Sequence, residues 1–157
     1  MAPCSTYNVL VQVGGTETPL VLGASRRFTW RAGKLATNPA TLPDTGSADL
    51  WVISESCTGN CNSTVPLYPQ TSFQSTGQNV QLLYGDSRTG THAAGPIGKD
   101  SVGVAGLSVA DQYLAAIIDT NTTVLETGSA GIFGLGFPAI RHVVVSTEYP
   151  NICVALT

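Results

Sequence analysis

Short runs of β type are separated along this chain by glycine-containing turns. Tyr7–Val13 alternates and is rich in β-branched residues, Gly14-Gly15-Thr16 supplies a turn, and Thr18–Leu22 starts a return strand. The same reasoning predicts strands at Leu50–Ile53, Asn79–Tyr84, Ser101–Val104, Leu107–Val109 and Gln112–Ile118, with a long loop over Cys57–Gln74. No helix and no repeat is predicted, so the pattern favours an all-β fold.

The composition agrees with this prediction. Of the 157 residues, 43% are apolar and only 11% charged, while Gly, Ser, Thr and Val are abundant. The length suits one domain with its own core. No apolar run is long enough to cross a membrane, so no membrane partner is expected. Met1 is followed by no basic-then-apolar segment, so we expect any export signal to be missing from this chain.

The positive charge is concentrated in one stretch. Residues 23–43 hold four of the seven basic residues and no acid, and the rest of the chain has three bases against ten acids. A basic cluster can mark a nucleic-acid site. This one has no interleaved aromatic residues except Trp30, so we expect no nucleic-acid partner.

The four cysteines are of two kinds. Cys57 and Cys61 are four positions apart in a polar turn, where they could form half of a zinc site or a small disulfide loop. No second Cys/His pair lies nearby, so the disulfide is favoured, no metal or cofactor is expected, and an oxidising compartment is indicated. Cys4 and Cys153 lie near the two ends, and nothing in the sequence requires them to pair.

Two short glycosylation motifs agree with secretion. They begin at Asn62 (Asn-Ser-Thr) and at Asn121 (Asn-Thr-Thr). Such motifs are common by chance, so they are candidate sites only.

A carboxylate on a tight glycine turn is the strongest chemical signal. Asp44-Thr45-Gly46-Ser47 is followed by Ala-Asp-Leu-Trp-Val, and the 157 residues contain no second Asp-Thr-Gly or Asp-Ser-Gly. The alternative is an ordinary turn aspartate, because Asp-x-Gly is common. Glu126-Thr127-Gly128-Ser129 imitates the motif with glutamate, and we interpret it as a loop.

The ordered motifs resemble those of the pepsin-like aspartic proteases. Asp44–Val52 resembles the first catalytic motif, Cys57 and Cys61 the small disulfide loop after it, Tyr84-Gly85-Asp86-Ser87 the active-site flap, and Gly131–Gly136 the segment behind the catalytic turn. The likeness extends over about Tyr7–Leu22 and Asp44–Ile140. It implies one β-barrel-like lobe with a flap hairpin, the N-terminal lobe of a fungal-type secreted acid protease that cleaves peptides or proteins.

The resemblance also implies residue roles. Asp44 would be one of two carboxylates that share a proton and activate water. Thr45 would pin the turn, Gly46 would allow close approach, and the Ser47 hydroxyl would hold the outer carboxylate oxygen.

The flap residues would form the second part of the site. Tyr84, with Gly85 and Asp86, would close over the substrate, its hydroxyl directed toward Trp51. The alternative for Tyr84 is a strand-end tyrosine that packs on the surface. The family usually has Tyr-Gly-x-Gly-Ser here, and this chain lacks the second glycine, which puts flap closure in question.

Two segments depart from the family pattern. Joining Leu22 to Asp44 would give the expected Pro-Leu-Val-Leu-Asp-Thr-Gly-Ser, but residues 23–43 intervene. These 21 residues equal 63 nucleotides, and their codons permit splice-site and branch-point sequences, so we hypothesise a retained intron. After Ile140 the likeness ends, so 141–157 is a predicted non-family tail on a single truncated peptidase lobe spanning 1–157.

Three functions follow as hypotheses. The first is an aspartic endopeptidase by lineage, inactive as this fragment because its pair lacks a second aspartate. The alternative is a non-catalytic peptide- or partner-binding module of the same fold, and the third an unrelated β-domain. One lobe alone would expose the apolar surface meant for the other, so self-association is also expected.

Overall fold

A computed structural model describes residues 8–22, 48–84 and 90–135 of the chain. Within these ranges the elements are eight strands and one short 3-10 turn. The strands are β1 (Asn8–Val13), β2 (Thr16–Leu22), β3 (Leu50–Ile53), β4 (Gln74–Tyr84), β5 (Thr91–Val104), β6 (Leu107–Ile117), β7 (Asp119–Thr120) and β8 (Gly131–Phe133). The predicted all-β class is confirmed. No helix of the described part is long and apolar enough to span a membrane.

Six strands form a closed ring. The order β1-β2-β8-β3-β6-β5 returns to its start because β5 also pairs with β1, through Gln12↔Gly103 and Val13↔Val102. The hairpin strand β4 adds to the outer edge of β5, and β7 pairs with β5 as well. Closure of this kind leaves few free strand edges, and it gives the barrel-like lobe that the family resemblance implied.

The core has two parts because strand side chains alternate between two faces. All six ring strands contribute to the first part, which contains Val11, Val13, Leu20, Leu50, Val52, Val102, Leu114, Ala116 and Phe133. The second part lies on the other face, where β4 packs over Trp51, Ile53, Ala115 and Ile117. All four residues of β3 are therefore buried, which explains why it is a continuous apolar run.

Strand lengths and one turn differ from the sequence prediction. Strand β5 runs for 14 residues, whereas strand bounds were predicted only for Ser101–Val104 and a hairpin was predicted after Tyr84 without bounds for its second strand. Glu126 and Thr127, predicted as a loop, end a 3-10 turn over Val124–Thr127. Gly128 terminates that turn in the left-handed conformation, at φ 76°, which glycine adopts without strain.

A buried carboxylate joins three parts of the lobe. Asp100 is 5% exposed and accepts hydrogen bonds from the Tyr68 hydroxyl, from Ser72 Oγ at 2.9 Å and from the Ser101 N–H at 2.7 Å. The β1–β2 turn packs directly on it, since a Cβ added to Gly14 would lie 2.5 Å from Asp100 Oδ2. Asp100 thus holds that turn and the 68–72 segment against β5.

Removing the tyrosine hydroxyl is expected to destabilise the lobe. Tyr68→Phe would keep the buried ring and its edge-on contact with Phe73 but would take one donor from the buried carboxylate. A buried polar group that loses a partner costs about 1–3 kcal/mol, so the free energy of unfolding in urea should fall by about that much. Tyr113→Phe is the matched control and should change it by about 0.5 kcal/mol or less. Equal effects of the two variants would contradict the role of Asp100.

Candidate functional site

Strand β8 positions both ends of the segment that contains Asp44. Leu22, the last residue of β2, pairs in parallel with Phe133, and Leu50, the first residue of β3, pairs with the same Phe133 from the other side. The Gly134 N–H also donates to the Asp49 carbonyl at 3.1 Å. The turn Asp44–Ser47 itself lies outside the described residues, as does the whole of 23–43. The catalytic role of Asp44 therefore stays a prediction, and the structure shows the strands on either side of it.

A hydrogen bond joins β3 to the end of β4. Trp51 is fully buried, and its Nε1–H donates to the Tyr84 hydroxyl at 2.6 Å, with the ring centroids 6.2 Å apart. Tyr84 thus points toward Trp51, the direction that the resemblance implied. Gly85 and Asp86 lie outside the described residues, and the role of Tyr84 over a substrate remains a prediction.

The surroundings of Tyr84 keep its hydroxyl protonated. Burial raises the pKa of Tyr84 well above its ordinary value of 10, the hydrogen bond from Trp51 acts in the opposite direction, and the Asp49 charge raises it further. Asp49 is 1% exposed, so a second carboxylate of the Asp44 motif lies buried close to this pair. The sequence analysis did not single out Asp49, because a polar residue between two apolar ones gives no sign of burial.

The Cys57–Cys61 disulfide is present, as predicted. Its loop packs on the end of the β5–β6–β7 region, where the Thr58 N–H donates to the Ile118 carbonyl at 2.9 Å and the Asn60 N–H to the Thr120 carbonyl at 3.1 Å. Gly59 allows this close approach, since a Cβ there would lie 2.7 Å from Asp119 Oδ1.

Across the ranges 8–22, 48–84 and 90–135, no group of three or more His, Cys, Asp or Glu side chains could hold a metal ion.

The start of β5, next to the tip of the β4–β5 hairpin, has a contact that sequence reasoning missed. Asn121 was considered only as a glycosylation candidate, yet its side-chain amide bonds to the backbone of Gly90 and His92. The other candidate, Asn62, is exposed on the loop after the disulfide. Cys4 and Cys153 lie outside the described residues.

The closed barrel, with its hairpin strand β4 tied to β3 by the Trp51–Tyr84 hydrogen bond, agrees with the single aspartic-protease lobe that the resemblance implied. The family model of the eukaryotic aspartyl proteases matches residues 34–156. The chain therefore belongs to the eukaryotic aspartyl protease family, and its relatives are pepsin-like enzymes.

Individual relatives agree with this assignment. The chain is 36% identical over 105 residues to an aspartic protease of Phaffia rhodozyma, covering 64% of this chain and 24% of that protein. It is 35% identical over 113 residues to rhizopuspepsin-4 of Rhizopus niveus (69% and 27%), and 31% identical over 123 residues to cathepsin E of Cavia porcellus (76% and 30%). The chain thus spans about a quarter of the length of the curated relatives it matches.

A solved structure supports the fold. The aspartic proteinase from Irpex lacteus matches 96% of this chain and 33% of its own, with a TM-score of 0.56 and 21% identity. At this identity the likeness concerns the fold alone, which is the pepsin-like lobe that the family resemblance implied.

Alkaline titration should reveal the buried tyrosine. Because its pKa is raised, folding favours the neutral phenol of Tyr84; this stabilisation is present below pH 10 and is lost as the pH rises above 10. Burial and the hydrogen bond to Asp100 also raise the pKa of Tyr68. When phenolate absorbance is followed with rising pH, the Tyr84→Phe variant should lack the contribution of one of the tyrosines that ionise late, above pH 10. An undiminished late phase in that variant would contradict the Trp51–Tyr84 geometry, and urea should abolish the phase in the parent chain.

Proposed function

We propose that this chain is the single-carboxylate lobe of an aspartic-type endopeptidase and that it does not hydrolyse peptides by itself. The Trp51–Tyr84 hydrogen bond carries the proposal, because it ties the hairpin strand β4 to the strand that follows the Asp44 turn. A hairpin held in this way can cover a peptide bound next to Asp44. Family membership supports the same role.

The chemistry explains the predicted inactivity. Hydrolysis of a peptide bond needs a nucleophilic water and an acid for the leaving amine, and two carboxylates within hydrogen-bond distance can do both by sharing one proton. Asp44 would be one of them. The 157 residues contain a single Asp-Thr-Gly, so the second carboxylate would have to come from another lobe or another copy of the chain.

The substrate and the compartment are proposed on the same basis. The substrate is a peptide or protein segment laid along the cleft between the hairpin and the Asp44 turn. We propose secretion because the Cys57–Cys61 disulfide is favoured in an oxidising compartment.

Residues 23–43 are proposed to be an insertion whose deletion leaves the barrel strands β2, β8 and β3 able to pair as they do now. Leu22 and Leu50 both pair with Phe133, and neighbouring strands lie 4.7–4.9 Å apart, so their Cα atoms are about 10 Å apart. Residues 44–49 alone can span that gap, since an extended chain covers about 3.3 Å per residue. The family match begins at residue 34, inside this segment, so sequencing of the spliced message decides whether 34–43 belongs with the insertion.

A peptidase assay tests the proposed inactivity. The full chain, incubated with a fluorogenic peptide at acid pH over a wide concentration range, should give no hydrolysis above that of Asp44→Asn. Asp111→Asn, which changes an exposed carboxylate, is the matched control. Pepstatin-sensitive hydrolysis that rises with the square of the chain concentration, is lost in Asp44→Asn and persists in Asp111→Asn would contradict the proposal and indicate a working pair of Asp44 residues. Peptide binding without hydrolysis would instead favour a binding module.

Deleting residues 23–43 should preserve the lobe and stabilise it. Shortening the connection between Leu22 and Leu50 from 27 to 6 residues lowers the loop-closure cost by about 1 kcal/mol. The measurement is urea unfolding followed by Trp51 fluorescence, with Trp30→Phe in the undeleted chain as the reference that also reports from Trp51 alone. Loss of a cooperative transition in the deleted chain would show that 23–43 is part of the fold.

A further inference from the structure

The side-chain amide of Asn121 pairs with the backbone where β5 begins, at the end of the β4–β5 hairpin next to its tip. Its Oδ1 accepts the His92 N–H at 2.7 Å, and its Nδ2 donates to the Gly90 carbonyl at 3.0 Å. These two backbone groups point to the same side of an extended chain. Asn121 therefore presents an acceptor and a donor to them as the peptide group of a neighbouring strand would.

This pairing continues a short ladder toward the hairpin tip. Strand β7 pairs with β5 through Asp119↔Ala94 and Thr120↔Ala93, and the Thr120 hydroxyl donates to the His92 carbonyl at 2.7 Å. Strand β7 ends at Thr120, and the Asn121 N–H still donates to the His92 carbonyl at 3.3 Å. Beyond that bond, the Asn121 side chain pairs with the His92 N–H and with the carbonyl of Gly90, the residue before β5. On the other side of β5, Thr91 pairs with Tyr84. Asn121 thus bonds to the residues on either side of Thr91, the residue of β5 that pairs with Tyr84.

We propose that Asn121 is a positioning residue of the hairpin, and that a glycan on its sequon and the folded hairpin exclude one another. Its effect on Tyr84 as a substrate-covering residue rests on the proposed function. The pairing of Asn121 with the backbone of Gly90 and His92 does not depend on that function. The His92 side chain adds little to the same anchor, because its Nε2 lies 3.2 Å from Asp119 Oδ2 in an exposed pair, and such pairs contribute little.

Amide geometry explains the exclusion. The Asn121 amide accepts through Oδ1 and donates through Nδ2 to one edge of the backbone. The hydrogen that it donates is therefore the one on the same side of the Cγ–Nδ2 bond as Oδ1. An N-linked glycan turns the side chain into a secondary amide, whose trans preference puts the substituent on the oxygen side and the remaining hydrogen on the opposite side. The glycan would therefore replace the hydrogen that is donated to the Gly90 carbonyl.

The second sequon has no such conflict. Asn62 is exposed, and the Ser63 hydroxyl in its sequon only closes a local turn, accepting from the Val65 N–H at 3.0 Å. A glycan there would extend into solvent from the loop that follows the disulfide. The structure thus separates two motifs that the sequence cannot rank, and assigns the glycan to Asn62.

Hydrogen exchange of two protons tests the positioning role. In the full unglycosylated chain, NMR would follow the His92 amide and the Trp51 indole N–H. Asn121→Ala should speed exchange of both by about tenfold, the equivalent of one net hydrogen bond. Thr123→Ala removes the sequon but keeps the Asn121 amide, and the Thr123 side chain makes no capping hydrogen bond, so this control should exchange like the parent chain.

Three results would overturn the positioning role. They are an unprotected His92 amide in the parent chain, equal His92 rates in the two variants, and a Trp51 indole rate that does not change in Asn121→Ala. None of these readouts depends on peptide hydrolysis, so the proposed enzymatic lineage can fail while this pairing stands, and the reverse.

Glycoforms of the chain secreted from yeast test the exclusion. Peptide mass spectrometry should find a glycan on Asn62 in chains with a protected His92 amide, and any chain with a glycan on Asn121 should exchange that amide as fast as Asn121→Ala does. A glycan on Asn121 in chains whose His92 amide stays protected would overturn the proposal. Asn62→Gln should remove the glycan from the protected fraction.

Discussion

The three residues of β8 are the constraint on which the lobe depends. They lie between β2, which runs parallel to them, and β3, which runs antiparallel, and so they connect the first hairpin to the rest of the ring. Gly131 makes this possible, because a Cβ there would collide with the Trp51 carbonyl oxygen. Since Phe133 pairs with both Leu22 and Leu50, the same strand determines where the Asp44 segment leaves the barrel and where it returns.

The β4–β5 hairpin is held by side-chain contacts on both of its strands. Strand β3, buried on both faces, presents Trp51 to the hydroxyl of Tyr84 at the end of β4. Asn121 supports the facing strand at Gly90 and His92. One side-chain contact therefore lies on each strand of the hairpin, just before the tip. These two contacts hold the hairpin strands in place around the pair Tyr84↔Thr91.

The acidic residues of the lobe show why a catalytic aspartate is hard to recognise from type alone. Asp100 is buried and accepts hydrogen bonds from two side chains and a backbone N–H, which suits a structural carboxylate. Asp49 is buried next to the Trp51–Tyr84 pair. Only Asp44 has the glycine turn and the flanking hydroxyls of the family motif. Asp100 and Asp49 are therefore recognised by their burial in the structure, whereas Asp44 is recognised by its sequence context.

The sequence by itself determined the all-β class, the hairpin turns, the disulfide and the family, because alternation, turn residues and close cysteines act over a few neighbouring positions. Only the tertiary structure decided that 91–100 is one continuous strand with Ser101–Val104, since Gly95, Pro96 and Gly98 are poor strand formers. Gly95 and Gly98 fit there because the Ala116 carbonyl and the Phe73 ring approach closely. The partners of Asp100 and Asn121 were likewise decided by packing, because they come from segments far apart in the chain and no local pattern encodes such a pairing.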